Sequence, residues 1–300
     1  MDYTNAFGVV LAAIGLVSDD QLFAVPPPNE NCVICTLILP NPNTAKMYMS
    51  CCGKIICTGC IHQWENAERH DNCVFCRAPS IRTNENQTAD EIAMERLHKR
   101  INEHNDPNAL YYAGVVYRRG LHGVGQNDEN RERGYQYYLR AARLGSKDAF
   151  RALGDIWAAV PVGSVVGAVD GSVVGSVAQE PQAPLILISK LFYKHAAIRG
   201  QVKARYLLAM RELRDENFER CIQHLRIACI GGSTRAMTFL RLLHEQRRPV
   251  PQELLTEADQ HHRAFLASVR SEQRAHADRI THRVREIQHE NRPDDEPYDN

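Results

Sequence analysis

Eight of the chain's ten cysteines fall between positions 32 and 76. They come as three C-x-x-C pairs, Cys32/Cys35, Cys57/Cys60 and Cys73/Cys76, and as the adjacent pair Cys51-Cys52. A thiolate is a strong zinc ligand, and a two-residue gap lets two sulfurs reach one tetrahedral ion from a tight turn. Eight thiols divide into two sites of four, so the expected cofactors are two zinc ions. The bland alternative is a disulfide framework. The residues before Cys32 do not read as a secretory signal, and thiols stay reduced in the cytosol. Single C-x-x-C pairs also serve redox chemistry, but three pairs plus a Cys-Cys step in so short a window point to metal.

A segment this short cannot bury enough apolar area to fold alone. Structural zinc supplies an apparent ~10–16 kcal/mol in small peptides, so metal is expected to form the heart of this module. Between Cys35 and Cys51 the residues read as a loop and a short strand, because Pro40 and Pro42 bar a long helix. KIIC, ending at Cys57, reads as a second strand, and Ile61 to Arg69 as a single helix carrying Trp64.

These residues resemble a RING finger, of the variety whose ligands are all cysteine. The resemblance implies that the first and third ligand pairs share one zinc and the second and fourth the other. Cys32, Cys35, Cys57 and Cys60 would then form one site, and Cys51, Cys52, Cys73 and Cys76 the other. It also implies contacts to a ubiquitin-conjugating enzyme and to ubiquitin. Ile34 stands before the second cysteine, Trp64 four residues after the sixth, Phe75 between the last two, and Arg77 after the last, where an arginine commonly clamps ubiquitin. Two departures stand out. CCGK replaces the common Cys-x-His step, so either Cys51 and Cys52 share an ion or one of them yields to His62 or His70. Val74 replaces a frequent proline. The bland readings are core packing for Trp64 and Ile34 and a solvated charge for Arg77.

Length enters next: 300 residues suit about two domains. Lys plus Arg equals Asp plus Glu, 36 each, which argues against a protein built to neutralise nucleic-acid phosphates. No apolar run approaches the ~20 residues that span a bilayer. The nearest, Ala6 to Val17, is 12 residues long and reads as a helix docked on the rest of the chain. The expectation is a cytoplasmic or nuclear protein with no membrane partner. Residues 1–31 form a lead-in that ends in the stiff Pro26-Pro27-Pro28, 32–77 the zinc module, and 78–105 a connector with an amphipathic helix over Asp90 to His104.

From Asp106 the chain repeats itself. Ala141-Ala142 with Gly145, Ala196-Ala197 with Gly200, and Ala228-Cys229 with Gly232 share one spacing. Four residues after each glycine stands an alanine (Ala149, Ala204, Ala236), and four further a leucine (Leu153, Leu208, Leu240). Alanines let helices approach closely, and a glycine ends one helix in a left-handed cap so that the next begins at once. Ala109, Ala113, Gly114, Tyr117, Gly120, Gly123 and Val124 match, in order, the repeat-start pattern of the Sel-like subfamily of tetratricopeptide-related repeats, which this region resembles. The resemblance implies an all-α helical-repeat solenoid over 106–250 whose concave surface binds protein.

The repeats are interrupted at 158–184, where Gly-Ser-Val-Val-Gly occurs twice; this reads as a loop between two helices of one repeat, with a β-prone sticky segment as the sharper alternative. Residues 251–291 read as one long C-terminal helix, its second half an Arg- and His-rich solvated face, and 292–300 as an acidic tail. Cys221 and Cys229 read as small core residues.

The fold class expected is thus a small zinc-stabilised α+β RING-type module followed by an all-α helical-repeat solenoid. No nucleophile with a nearby base, phosphate loop or paired-acid signature is visible, so a catalytic centre of the chain's own is not expected. The resemblance implies a RING-type ubiquitin-protein ligase whose repeats select an unknown protein substrate. The alternatives are a non-enzymatic zinc-binding adaptor and, through the C-terminal Arg/His stretch, an RNA-binding protein.

Overall fold

The computed structural model describes residues 14–41, 45–67, 72–79, 88–159 and 182–280. The chain forms two compact units, one built from residues 1–29 and 81–265, the other from 30–80 and 266–300. Most of the apolar stretch Ala6 to Val17, His70, most of the 158–184 insertion and the acidic tail lie outside the described residues.

The first unit is helical throughout its described residues. A short helix α1 (Asp19–Phe23) opens it; Ser18 and Gln21 close a capping box there. Helix α3 (Ala89–His104) follows, capped by Thr88 with Glu91. Then come α4 (Pro107–Arg119), α5 (Asp128–Arg143), α6 (Lys147–Ala158), α7 (Gln182–Ile198), α8 (Val202–Arg214), α9 (Phe218–Ile230), α10 (Thr234–Glu245) and α11 (Gln252–Ser268). They pack as successive hairpins, α4 on α5, α6 on α7 and α8 on α9.

The Ala/Gly spacing explains the joints between hairpins. Gly145, Gly200 and Gly232 hold φ of 87°, 81° and 83°, a region that L side chains rarely adopt. Around each, the following residue's N–H reaches back to a carbonyl five residues earlier: Ser146 to Ala141 at 3.0 Å, Gln201 to Ala196 at 3.0 Å, Ser233 to Ala228 at 2.9 Å. The same Ser146, Gln201 and Ser233 then cap the next helix, their side chains accepting from Ala149, Ala204 and Ala236 N–H. One helix therefore stops and the next starts with only three residues between them. Ala149, Leu153, Ala204, Leu208, Ala236 and Leu240 are all fully buried. Asn105 (φ 45°) and Asp106 play the same parts before α4. Although the insertion separates α6 from α7, the two still pack: Ser189 donates to the Gly154 carbonyl at 3.0 Å and the Tyr193 hydroxyl to Asp155 at 2.7 Å. Cys221 and Cys229 are fully buried in the apolar interior, as small core residues should be.

In the second unit, strands β1 (Lys46–Met49) and β2 (Lys54–Cys57) pair antiparallel, with Lys46 opposite Cys57 and Met49 opposite Lys54. Helix α2 (Thr58–Asn66) follows at once, starting three residues earlier than the apolar pattern suggests because Cys57 is already its N-cap. The long C-terminal helix expected over 251–291 is interrupted. Helix α11 ends at Ser268, and a separate helix α12 (272–280) begins after Ser271, whose hydroxyl and carbonyl accept from the N–H groups of Arg274 and Ala275 at 3.2 and 3.0 Å. Nor is the face of α12 wholly solvated: Arg274 and Ala277 are buried. No helix among the described residues is long and apolar enough to cross a membrane.

Candidate metal centre

The cysteine pairs sit in three kinds of local setting: two like knuckles, the β1–β2 turn and the β2–α2 junction. Cys32 and Cys35 flank a knuckle closed by Thr36 N–H to the Cys32 carbonyl and Cys32 N–H to the Leu37 carbonyl, both 2.9 Å. Cys73 and Cys76 repeat it: Arg77 N–H meets the Cys73 carbonyl at 3.0 Å and Cys73 N–H the Ala78 carbonyl at 2.7 Å. The residue after each second cysteine, Thr36 or Arg77, takes a left-handed φ of 60° or 63°. Cys51 and Cys52 lie in the turn between β1 and β2, where Gly53 N–H bonds the Met49 carbonyl at 2.7 Å. Cys57 closes β2 and Cys60 lies in the first turn of α2.

These turns gather the sulfurs into two groups of four, Cys32/Cys35/Cys57/Cys60 and Cys51/Cys52/Cys73/Cys76, each within 4.8 Å of one another. A tetrahedral site with Zn–S bonds of about 2.3 Å has sulfur–sulfur edges of about 3.8 Å. The separations are 3.9 Å for Cys32–Cys60 and 3.8 Å for Cys35–Cys57 in the first cluster, and 4.0 Å for Cys52–Cys73 and 3.5 Å for Cys51–Cys76 in the second. Each cluster could hold a metal ion, and the soft, four-sulfur donor set suits zinc. Both Cys51 and Cys52 belong to the second cluster. His62 is turned elsewhere, bonded to Asn66 at 2.8 Å and edge-on to His276 at 5.1 Å.

The electrostatics fit cation binding. Burial pushes the Cys32 thiol up, but donation from the backbone N–H groups of Cys57, Cys35 and Ile34 outweighs it and brings the thiol down to about 7. In Cys73, burial is likewise outweighed by the N–H groups of Cys76 and Phe75. Burial and the neighbouring sulfurs push Cys60 and Cys51 up, and burial with Cys73 and Cys76 pushes Cys52 up to about 11. Each cluster thus has one thiol, Cys32 or Cys73, drawn toward the thiolate, and at least one more, Cys60 in the first and Cys51 and Cys52 in the second, held toward the neutral form.

The other residues singled out by the resemblance separate into two pairs. Ile34 and Phe75 are 41% and 43% exposed, each at the third position of its knuckle. Trp64 packs, partly buried, against the small core of this unit, and its Nε1 donates to the Asn72 carbonyl at 2.9 Å. The Arg77 guanidinium stacks on that indole, 4.0 Å from the ring centroid. One residue that the sequence did not single out touches the first cluster: Arg274 of α12 donates to Cys35 Sγ at 3.4 Å. Burial raises the Cys57 thiol, while the Cys60 N–H and Arg274 pull against it. The local sequence signals only the helix start at Ser271; nothing in it points to a partner 239 residues away.

Compared with known proteins, the chain matches no family model and no curated protein. Solved structures similar to it include a protective antigen present in uropathogenic Escherichia coli strains displaying an SLR fold, 14% identical with a TM-score of 0.39, over 69% of this chain and 45% of that one. Two immunity proteins from Pseudomonas aeruginosa, 15% and 14% identical, each have a TM-score of 0.32 over 62% of this chain and 78% of theirs. The chain spans less than half the length of the antigen it matches.

Proposed function

We propose that the eight cysteines bind two zinc ions in a RING-type module, and that the chain is a ubiquitin-protein ligase whose Sel-like repeats select protein substrates. The observation that carries this reading is the placement of Ile34 and Phe75. Each occupies the same position in a C-x-x-C knuckle, and each is about two-fifths exposed. Metal bound at the knuckles would hold both apolar side chains rigidly against water, where a partner can bury them without first ordering them. The reactive thioester would belong to the conjugating enzyme, and the module would contribute orientation.

Arg77 favours a second reading, a zinc-folded adaptor without ligase activity. Its guanidinium is committed to the Trp64 ring, and a clamp on ubiquitin would have to leave it or use its outer face. Ubiquitination by the purified zinc-loaded protein, against a panel of conjugating enzymes, separates the two. The ligase reading expects ubiquitin chains with the wild type and a loss of at least about tenfold in Ile34→Ala and Phe75→Ala variants that keep both zinc ions. No chains with any enzyme, despite full zinc loading, leaves the adaptor.

A further inference from the structure

A buried charge is normally paired, because an isolated ion loses its hydration for nothing. Arg274 is 5% exposed, yet among the described residues it forms no ion pair with a carboxylate; the ionisable groups beside it are Cys57 and Cys35. Its guanidinium donates to the carbonyls of Ile38 at 2.6 Å, Val269 at 2.9 Å and Leu37 at 3.4 Å, and to Cys35 Sγ at 3.4 Å. Its Nε meets no acceptor. Carbonyls solvate a guanidinium but do not neutralise it. The anionic group in reach is the first sulfur cluster, since four thiolates on one divalent ion carry a net double negative charge.

We propose that Arg274 is the counter-ion and positioning residue of the first cluster, and that α12 is thereby the clasp of that metal site. Metal retention at Cys32/Cys35/Cys57/Cys60 and docking of α12 then support one another, as any two coupled binding events must. This rests on the reading that the cluster holds metal. The backbone carries a second, independent sign of a fitted joint. Gly59 stands between the ligands Cys57 and Cys60, and a Cβ there would lie 2.7 Å from the Arg274 backbone nitrogen and 2.9 Å from its Cα. The α12 backbone therefore sits directly on the ligand-bearing turn of α2, where no side chain fits between them.

Among the described residues, no side chain from another element covers the second cluster in this way. Among the described residues its sulfurs meet backbone N–H groups and one another, and Cys76 is exposed. The two sites should accordingly differ in kinetics: the second gives up its metal first, and the first is held by Arg274.

The test is metal release from the full zinc-loaded chain to an excess of chromogenic chelator, with amide exchange followed at 272–280. The wild type is expected to release two zinc ions in two phases, and α12 to lose protection with the slower one. Arg274→Met should quicken the slow phase about 10- to 100-fold and leave the fast phase unchanged, the usual size of effect for a ligand-supporting contact. Arg274→Lys, which keeps the charge but not the planar fork, should fall between. Gly59→Ala retains the guanidinium but forces α12 away, and should also quicken the slow phase; it keeps the test open if the methionine variant does not fold. Two zinc ions released with an unchanged slow phase in both Arg274→Met and Gly59→Ala would overturn the clasp. A wild type holding fewer than two zinc ions would overturn the two-metal reading, and the clasp with it.

Discussion

The two units of this chain are held together by opposite means. In the repeats, alanine and leucine at fixed steps fill a continuous interior, and each hairpin leans on the next through a glycine-capped joint. In the cysteine-rich unit, three of the seven residues of the buried cluster are cysteines, so much of what would be apolar core is given over to sulfur. One unit spreads its stability over many small contacts; the other, with metal bound as proposed, would concentrate it in two points. A single substitution should therefore cost the repeats a fraction of their stability and cost the zinc module its fold.

The largest effect expected is at a ligand. Cys32→Ser should lower the zinc content from two to one and abolish amide protection in β1 and β2, since structural zinc supplies about 10 kcal/mol or more in modules of this kind. The thermal midpoint of the repeats should not move. Metal analysis with exchange mass spectrometry checks both halves, and a repeat unit that melts earlier would show that the comparison is drawn too sharply. Leu208→Ala comes next. Leu208 is fully buried in α8, and its truncation should cost about 2–5 kcal/mol, read by denaturant unfolding, with zinc content unchanged.

The smallest expected effect, counted per pH unit, is an acid dependence confined to the repeats. Burial, reinforced by Arg205, Arg220, Lys190 and Lys194, holds the His224 imidazole down to about 3. Unfolded, a histidine takes up its proton near 6.5, so below that pH the unfolded chain binds a proton that the folded chain refuses. Stability is full above about pH 6.5 and falls toward pH 3 by up to about 1.4 kcal/mol per unit. In His224→Gln this acid limb of the unfolding curve should flatten. An unchanged limb would place the acid sensitivity elsewhere in the unit.

What could be read from the sequence follows the same division. The eight sulfurs were legible because zinc dictates short local spacings, and the joints at Gly145, Gly200 and Gly232 because capping is local too. How the sulfurs pair was legible only through a family resemblance: spacing alone does not say that Cys32/Cys35 meet Cys57/Cys60 across the strands β1 and β2. Arg274 was not legible at all. Its meaning depends on a contact made 239 residues away, and in the sequence it is one arginine in a charged stretch that scans as solvated helix. The break before Ser271 had a signal, a serine able to cap, but the surrounding three- and four-residue steps ran through it. Ile34, Trp64, Phe75 and Arg77 matched a family pattern together, yet they are used differently: Ile34 and Phe75 are exposed apolar side chains, with the Lys54 ammonium 5.7 Å from the Phe75 ring, whereas Trp64 lends its indole to the core and the exposed Arg77 stacks on it.

The most direct test is to load the full chain with zinc, count the bound ions by mass spectrometry under native conditions, and then follow amide exchange as a chelator strips them. The account predicts two zinc ions per chain, and loss of protection at residues 46–57 and 73–77 while α6, α8 and α10 keep theirs. Fewer than two ions, or loss of protection in the repeats at the same chelator concentration, would contradict it.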